Sequence, residues 1–317
     1  VITSVGYQYT GGEHKLHSGI TWKGWYPVVD FRLSYGGEPS IVTGDNEVEP
    51  SVIYPSLSTG TEVYLPLQFT SGAYSQYLRA SFYHRYNNRY IYNEADEVFD
   101  YGQSFISWKL FFSNSRRSSY RDIFPVFAQA LELNYTNAPF DSEIYGTIAS
   151  LRASLYFPGV IRNHGLRVRL QAERQVPEEY IQYNRINFPR GYSEIISECL
   201  KTISTDYVFP IAYPDIAIGS IAYIKRIRGS LFYDRSQGRE NRFLAARQYV
   251  AEKQTFSSLG GELLTDFNLL RMPFDITGGA RVGYIPTEKR SFIEAVFSVD
   301  IYGFSLGEKR SGRIPWL

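Results

Sequence analysis

The chain has 317 residues, and its 33 Lys plus Arg nearly cancel its 32 Asp plus Glu, for a formal net charge of +1. That balance lacks the basic excess of a nucleic-acid binder, so no nucleic-acid partner is expected. Aromatic residues make up 16%, with 27 Tyr and 21 Phe against a single Met, which is strand-rich and not helical usage.

The lone Cys199 can form no internal disulfide. No apolar run reaches the roughly 18 residues of a transmembrane helix. No signal peptide opens the chain, so an exported protein is expected here as a mature chain or a fragment. Mean hydropathy is −0.26, which does not exclude a membrane barrel, because barrel strands alternate apolar and polar residues.

Apolar residues recur with period two almost throughout, in segments of roughly 10 to 16 residues, longer than the usual strand of about five or six. Fourteen strands are predicted. The first three cover 3–10, 13–24 and 25–36, with Trp22, Trp25, Tyr26, Phe31 and Tyr35 clustered as an interfacial girdle would be. A loop rich in Gly, Pro, Ser and acid follows at 37–58, then strands 59–70 and 75–90. A polar loop at 91–97 leads to strands 98–114 and 122–136, which flank the turn Arg116-Arg117-Ser118-Ser119. In 143–157, Ala149, Leu151, Ala153, Leu155 and Phe157 share one face, opposite Ser150, Arg152 and Ser154. In 164–175, Leu166, Val168, Leu170 and Ala172 oppose Arg167, Arg169, Gln171 and Glu173. After a polar loop at 177–201 come strands 203–214, 219–235, 247–270, 272–286 and 290–304, and a charged tail at 305–317.

A soluble β-sandwich would turn the charged face to water and the apolar face to a core. A membrane barrel turns the apolar face to lipid and the charged face to a wet lumen. Periodicity does not separate the two; strand length and aromatic ends favour a closed antiparallel transmembrane barrel over 1–304, with 305–317 as a C-terminal extension.

The 177–201 loop carries Phe188-Pro189-Arg190-Gly191-Tyr192. Asp206 shares phase with Ser204, and Asp234 shares phase with Arg226, Arg228 and Ser230, so both carboxylates are expected on the polar side of adjacent strands. A guanidinium offers five donors in a fork that suits two carboxylates. On composition alone Arg190 reads more readily as a solvated loop residue, and the two Asp as ordinary charges on a wet wall.

In order and spacing these segments resemble the BamA/TamA superfamily of outer-membrane assembly and secretion barrels. That family carries a (V/I)RG(F/Y) motif in a long extracellular loop, matched by Pro189-Arg190-Gly191-Tyr192 with Pro in place of Val or Ile. Its acidic residue before an aromatic, Pro-ended segment is matched by Asp206 in Thr205-Asp206-Tyr207-Val208-Phe209-Pro210, and its F-x-D motif by Phe232-Tyr233-Asp234. Five strands follow the motif loop in both. The family barrel has sixteen strands against fourteen here, so either two are missing upstream or the boundaries drawn here merge some. Phe304 falls out of phase with Phe297, Val299 and Ile301, unlike the terminal aromatic of family barrels.

The resemblance implies a loop folded into the lumen and tethered by Arg190, Gly191, Tyr192, Asp206, Phe232 and Asp234. It implies no cofactor, a bacterial or organellar outer membrane, client outer-membrane or secreted proteins, and a periplasmic domain or partner outside this chain. An enzyme barrel is disfavoured, since His14, His17, His84 and His164 lie in no nucleophile motif. A passive or gated pore lined by Arg79, Arg85, Arg152, Arg167 and Arg169 is the alternative, with Glu132, Glu173 and Glu262 as balancing charges.

Overall fold

A computed structural model describes residues 1–300, apart from 11–12, 38–39, 42–52, 94–97, 117–121, 141–144, 179–180, 194–195, 245–247, 271 and 273. Fourteen strands form one antiparallel meander: β1 (Ile2–Thr10), β2 (Glu13–Trp22), β3 (Val28–Gly36), β4 (Leu57–Ser71), β5 (Tyr74–Asn93), β6 (Val98–Arg116), β7 (Ala128–Asn137), β8 (Thr147–Pro158), β9 (Gly165–Val176), β10 (Ser197–Ala212), β11 (Ala222–Leu244), β12 (Gln248–Leu269), β13 (Asp275–Ile285) and β14 (Arg290–Asp300). Each strand pairs with its neighbours in sequence. A three-residue strand, Ile216–Ile218, adds to the edge of β11, and two-residue strands at Ser40–Ile41 and Ile53–Tyr54 pair with each other. The ladder runs from β1 to β14, and among the described residues no pairing joins those two.

The choice between sandwich and barrel is settled by which face is covered. Along β11, Leu231 is 57% exposed and Tyr233 43%, while Phe232 is 4% and Asp234 2% exposed. The same inversion holds elsewhere: Leu151, Leu170, Leu263, Val282 and Phe297 are exposed, whereas Glu173, Asp206 and Asp266 are buried. A water-soluble sheet would bury the first set; an apolar face this continuous is what lipid contacts. The predicted outward set of Leu151, Leu170, Phe297 and Val299 is exposed, and Leu155, Leu166 and Val168 are partly so. The girdle residues Trp22, Trp25, Tyr26, Phe31 and Tyr35 are exposed as well.

Several predicted boundaries move. Residues 23–27 form a bend, so β3 begins at Val28 and not at 25. Residues 122–127 are not strand: Pro125 has no N–H to give a ladder, and Phe124 instead turns inward over Arg167, 4.9 Å from its Cζ. β10 starts at Ser197, which shortens the long loop to 177–196, and β11 extends to Leu244 instead of stopping at 235. Both extensions carry outward charges such as Lys201 and Arg239 on strand backbone, and charge density imitates a loop. The predicted strand end at Phe304 and the tail 305–317 lie outside the described residues.

Candidate functional site

The loop 177–196 lies on the polar face of the sheet and is fastened at two places. Its first half is held by side chains of β9. Glu173 Oε1 accepts from Asn184 Nδ2 at 2.7 Å, and Glu173 Oε2 accepts from the Arg185 backbone N–H at 2.9 Å. Gln175 accepts from the Gln182 N–H at 3.2 Å and donates to its carbonyl at 2.9 Å, and Gln171 accepts from the Asn187 N–H at 2.8 Å. Arg185 reaches across to Thr136 Oγ1 on β7 at 2.5 Å, and Arg152 Nη2 donates to the Arg185 carbonyl. A loop turned away from solvent must find partners for its peptide groups, and these residues supply them.

The second fastening is Arg190. Its Nε and Nη2 grip Asp234 as a fork, at 2.7 Å to Oδ2 and 2.8 Å to Oδ1, and its backbone N–H donates to Oδ2 at 3.1 Å. Nη1 lies 2.8 Å from Asp206 Oδ1 and 3.2 Å from Glu262 Oε1. The Phe232 ring stands 3.9 Å from the guanidinium carbon, so the planar cation has an aromatic face on one side. Strand register explains the convergence. Asp206 is paired with Phe232, Asp234 with Ser204 and Ser258, and Glu262 with Ser230, which puts three carboxylates on one face of three consecutive strands.

Each carboxylate except Asp234 has further cations. Asp206 Oδ2 accepts from Arg167 Nε at 3.1 Å and Arg169 Nη2 at 3.2 Å. Glu262 Oε1 accepts from Arg281 Nε at 2.7 Å, and Arg281 Nη1 reaches Glu294 Oε2 on β14 at 2.6 Å. Four guanidiniums (Arg167, Arg169, Arg190, Arg281) thus meet four carboxylates (Asp206, Asp234, Glu262, Glu294), and the cluster is neutral. Burial alone would lower the pKa of Arg190, but the hydrogen bond to Asp234 and the charges of Asp206, Asp234 and Glu262 outweigh it and raise the pKa above the ordinary guanidinium value.

Beyond Arg190 the loop leans on the last strands. Gly191 sits at φ +83°, and a Cβ there would fall 2.4 Å from Cε1 of Phe292 on β14. The Gly191 carbonyl accepts from Arg290 at 3.0 Å. Tyr192 O–H is 2.5 Å from Thr287 Oγ1 and 3.2 Å from the Ser257 carbonyl. Phe188 packs edge-on against Phe256 on β12, with ring centroids 4.7 Å apart.

All six predicted residues, Arg190, Gly191, Tyr192, Asp206, Phe232 and Asp234, therefore meet in one place. Sequence reasoning missed Arg167, Arg169 and Arg281 as partners in this cluster and treated Glu262 as a general balancing charge. Their inward phase was legible; what register alone reveals is that Arg167 shares a row with Asp206, Arg169 with Ser204 and Asp234, and Arg281 with Glu262. It also missed a separate cluster near the ends of β11–β13, where Asp266 accepts from Arg228 at 3.3 Å and Thr277 at 2.6 Å and pairs with Arg226. All four imidazoles stand next to hydroxyls: His84 Nε2 at 2.7 Å from Ser104 Oγ, His17 Nδ1 at 2.8 Å from Ser34 Oγ, His164 Nδ1 at 2.9 Å from the Tyr207 hydroxyl, and His14 beside the Tyr7 hydroxyl.

No family model matches the chain, and no curated protein matches it. Among solved structures, the fold is similar to the crystal structure of BamA from Haemophilus ducreyi lacking POTRA domains 1–3, with a TM-score of 0.50 and 13% sequence identity over 94% of this chain. The chain spans 64% of the length of that structure. At that identity the likeness is one of fold: an all-β antiparallel sheet of the BamA barrel type.

Proposed function

We propose that the chain is the membrane domain of an outer-membrane protein-insertion or translocation barrel, in a diderm bacterium or its organellar equivalent. The observation that carries this reading is the inward loop clasped by Arg190 on an apolar-out, polar-in sheet of BamA type. The work is mechanical. The clasp fixes the loop across strands that must stay in register, while exposed strand edges offer unpaired peptide groups to client strands. Its partners are outer-membrane lipid, client outer-membrane or secreted proteins, and a periplasmic domain or subunit that delivers them. No cofactor is invoked, and the work proposed is not enzymatic: hydrolysis needs a base oriented by a third group, and none of His14, His17, His84 and His164 lies in a nucleophile motif.

Assembly of a small outer-membrane client in proteoliposomes, followed by its heat-modifiable gel mobility, tests the reading. Wild type should accelerate client folding and Arg190→Ala should lose most of that effect. The second reading is a passive or gated pore, favoured by the arginine-rich inner wall. Planar-bilayer conductance before and after deletion of 178–196, which leaves β10 whole, separates the two. A steady open pore in the intact chain, with no effect on client folding, would overturn the insertion reading.

A further inference from the structure

The outer face holds a feature that the inward clasp does not use. A groove of about 1100 Å³ crosses the outward side of the sheet, from Pro27 beside β3 to Arg239 on β11. Its floor is made of small side chains, Ala80, Ala149 and Ala172, and its walls include Phe82, Trp108 and Leu151. The floor and wall residues fall close to one row of the ladder, through the pairings Leu65 with Ala80, Leu133 with Leu151, and Leu151 with Ala172. The next residue in that row is Lys201, opposite Ala172.

At Lys201 the chemistry changes. Arg174, Lys201 and Arg239 line that end of the groove, all three on the exposed face of their strands. Lys253, also exposed, stands directly opposite Arg239. Like charges facing each other across a ladder destabilise it, and no carboxylate forms an ion pair with any of the four among the described residues. The neighbouring Glu198 leaves the patch cationic. The inner face of the same strands neutralises its arginines with carboxylates; the outer face leaves this group to be neutralised from outside.

We propose that this groove is a binding site for an anionic lipid with a phosphate headgroup, its acyl chains over the alanine floor and its phosphate between Arg174, Lys201 and Arg239. The proposal rests on the reading of the sheet as membrane-spanning. Charge complementarity selects the occupant. A neutral lipid would fill the floor and leave the cations unanswered, whereas a free anion would answer the cations and leave the apolar floor open. Near a membrane surface each Lys or Arg contributes about a fivefold gain for an anionic lipid.

The test is native mass spectrometry of the full chain in micelles supplied with equal amounts of phosphatidylglycerol and phosphatidylcholine. Wild type should retain phosphatidylglycerol about a hundredfold over phosphatidylcholine, the product of three such gains. Arg174→Gln/Lys201→Gln/Arg239→Gln should bring the ratio near parity. Ala149→Phe/Ala172→Phe fills the floor without touching the charges and should lower retention of phosphatidylglycerol several-fold. Parity in wild type, or an undiminished preference in the triple variant, overturns the proposal. So does displacement of the lipid by inorganic phosphate alone. A wild-type chain that shows no heat-modifiable folding in micelles fails the membrane reading itself, and the lipid site with it.

Discussion

Replacing Arg190 with alanine should cost the clasp one partner and not three. Asp206 keeps Arg167 and Arg169, and Glu262 keeps Arg281. Asp234 alone is orphaned, because both of its side-chain bonds come from the Arg190 fork and only the backbone N–H of residue 190 remains. Removing one partner of a buried ion pair costs about 3–5 kcal/mol. The Arg190 side chain is 14% exposed and the surrounding wall is polar, so screening reduces this to about 2–3 kcal/mol. Asp234→Asn should then recover much of the loss, since an amide does not need a cation. Urea unfolding in micelles of the two single variants and Arg190→Ala/Asp234→Asn closes a double-mutant cycle, with an expected coupling of about 2 kcal/mol. The parallel cycle with Asp206→Asn should give a smaller coupling and a larger loss for the Asp206 single variant, because that change strips the acceptor of three arginines at once. A loss under about 0.5 kcal/mol for Arg190→Ala, within the range of ordinary surface substitutions, or equal coupling in both cycles, would refute the reasoning.

Three further outcomes are expected. Gly191→Ala should destabilise by about 1–3 kcal/mol through its positive φ; Phe292→Ala in the same chain should recover only the part due to the clash, as read by the urea midpoint. Val168→Arg, on the lipid side, should cost about 2–4 kcal/mol if that residue lies near the midplane, and Gln171→Arg on the inner side should cost less; the reverse order in micelle unfolding would exchange the two faces. Glu173→Ala removes the acceptor of Asn184 and of the Arg185 N–H, so limited proteolysis should cut the first half of the loop faster while Arg190 remains bound. An unchanged cleavage rate would show that Glu173 does not hold it.

The strand inventory was legible because lipid and lumen impose the same two-residue alternation on every strand. The inward phase of Asp206 and Asp234 followed from that alternation alone. The identity of the face in contact with lipid did not, since a period-two pattern is symmetric; it needed the observation that Asp234 is buried and Leu231 exposed. Strand ends were read worst where the chain leaves the apolar belt. Lys201 and Arg239 are strand residues that a composition-based reading assigns to loops. Arg167, Arg169 and Arg281 were visible as inward arginines, but their common destination depends on the stagger between strands, which no single strand encodes. The segment 122–127 failed for another reason: its apolar residues suited a strand, and Pro125 and the cation under Phe124 took it elsewhere.

The two fastenings of the loop differ in how far they reach along the chain, and that sets a sequence of events. Asn184 and Arg185 bind Glu173 across 11 and 12 residues, so this half can form as soon as β9 exists. Arg190 can meet Asp206 on β10 next, but its fork waits for Asp234 at a separation of 44 residues and its Nη1 for Glu262 at 72, and the Gly191 carbonyl meets Arg290 only at 99. Closing longer loops costs more entropy and is slower. The loop is therefore expected to fold back early and to be locked only when the last four strands arrive, so that the clasp acts as a checkpoint reporting a completed C-terminal sheet.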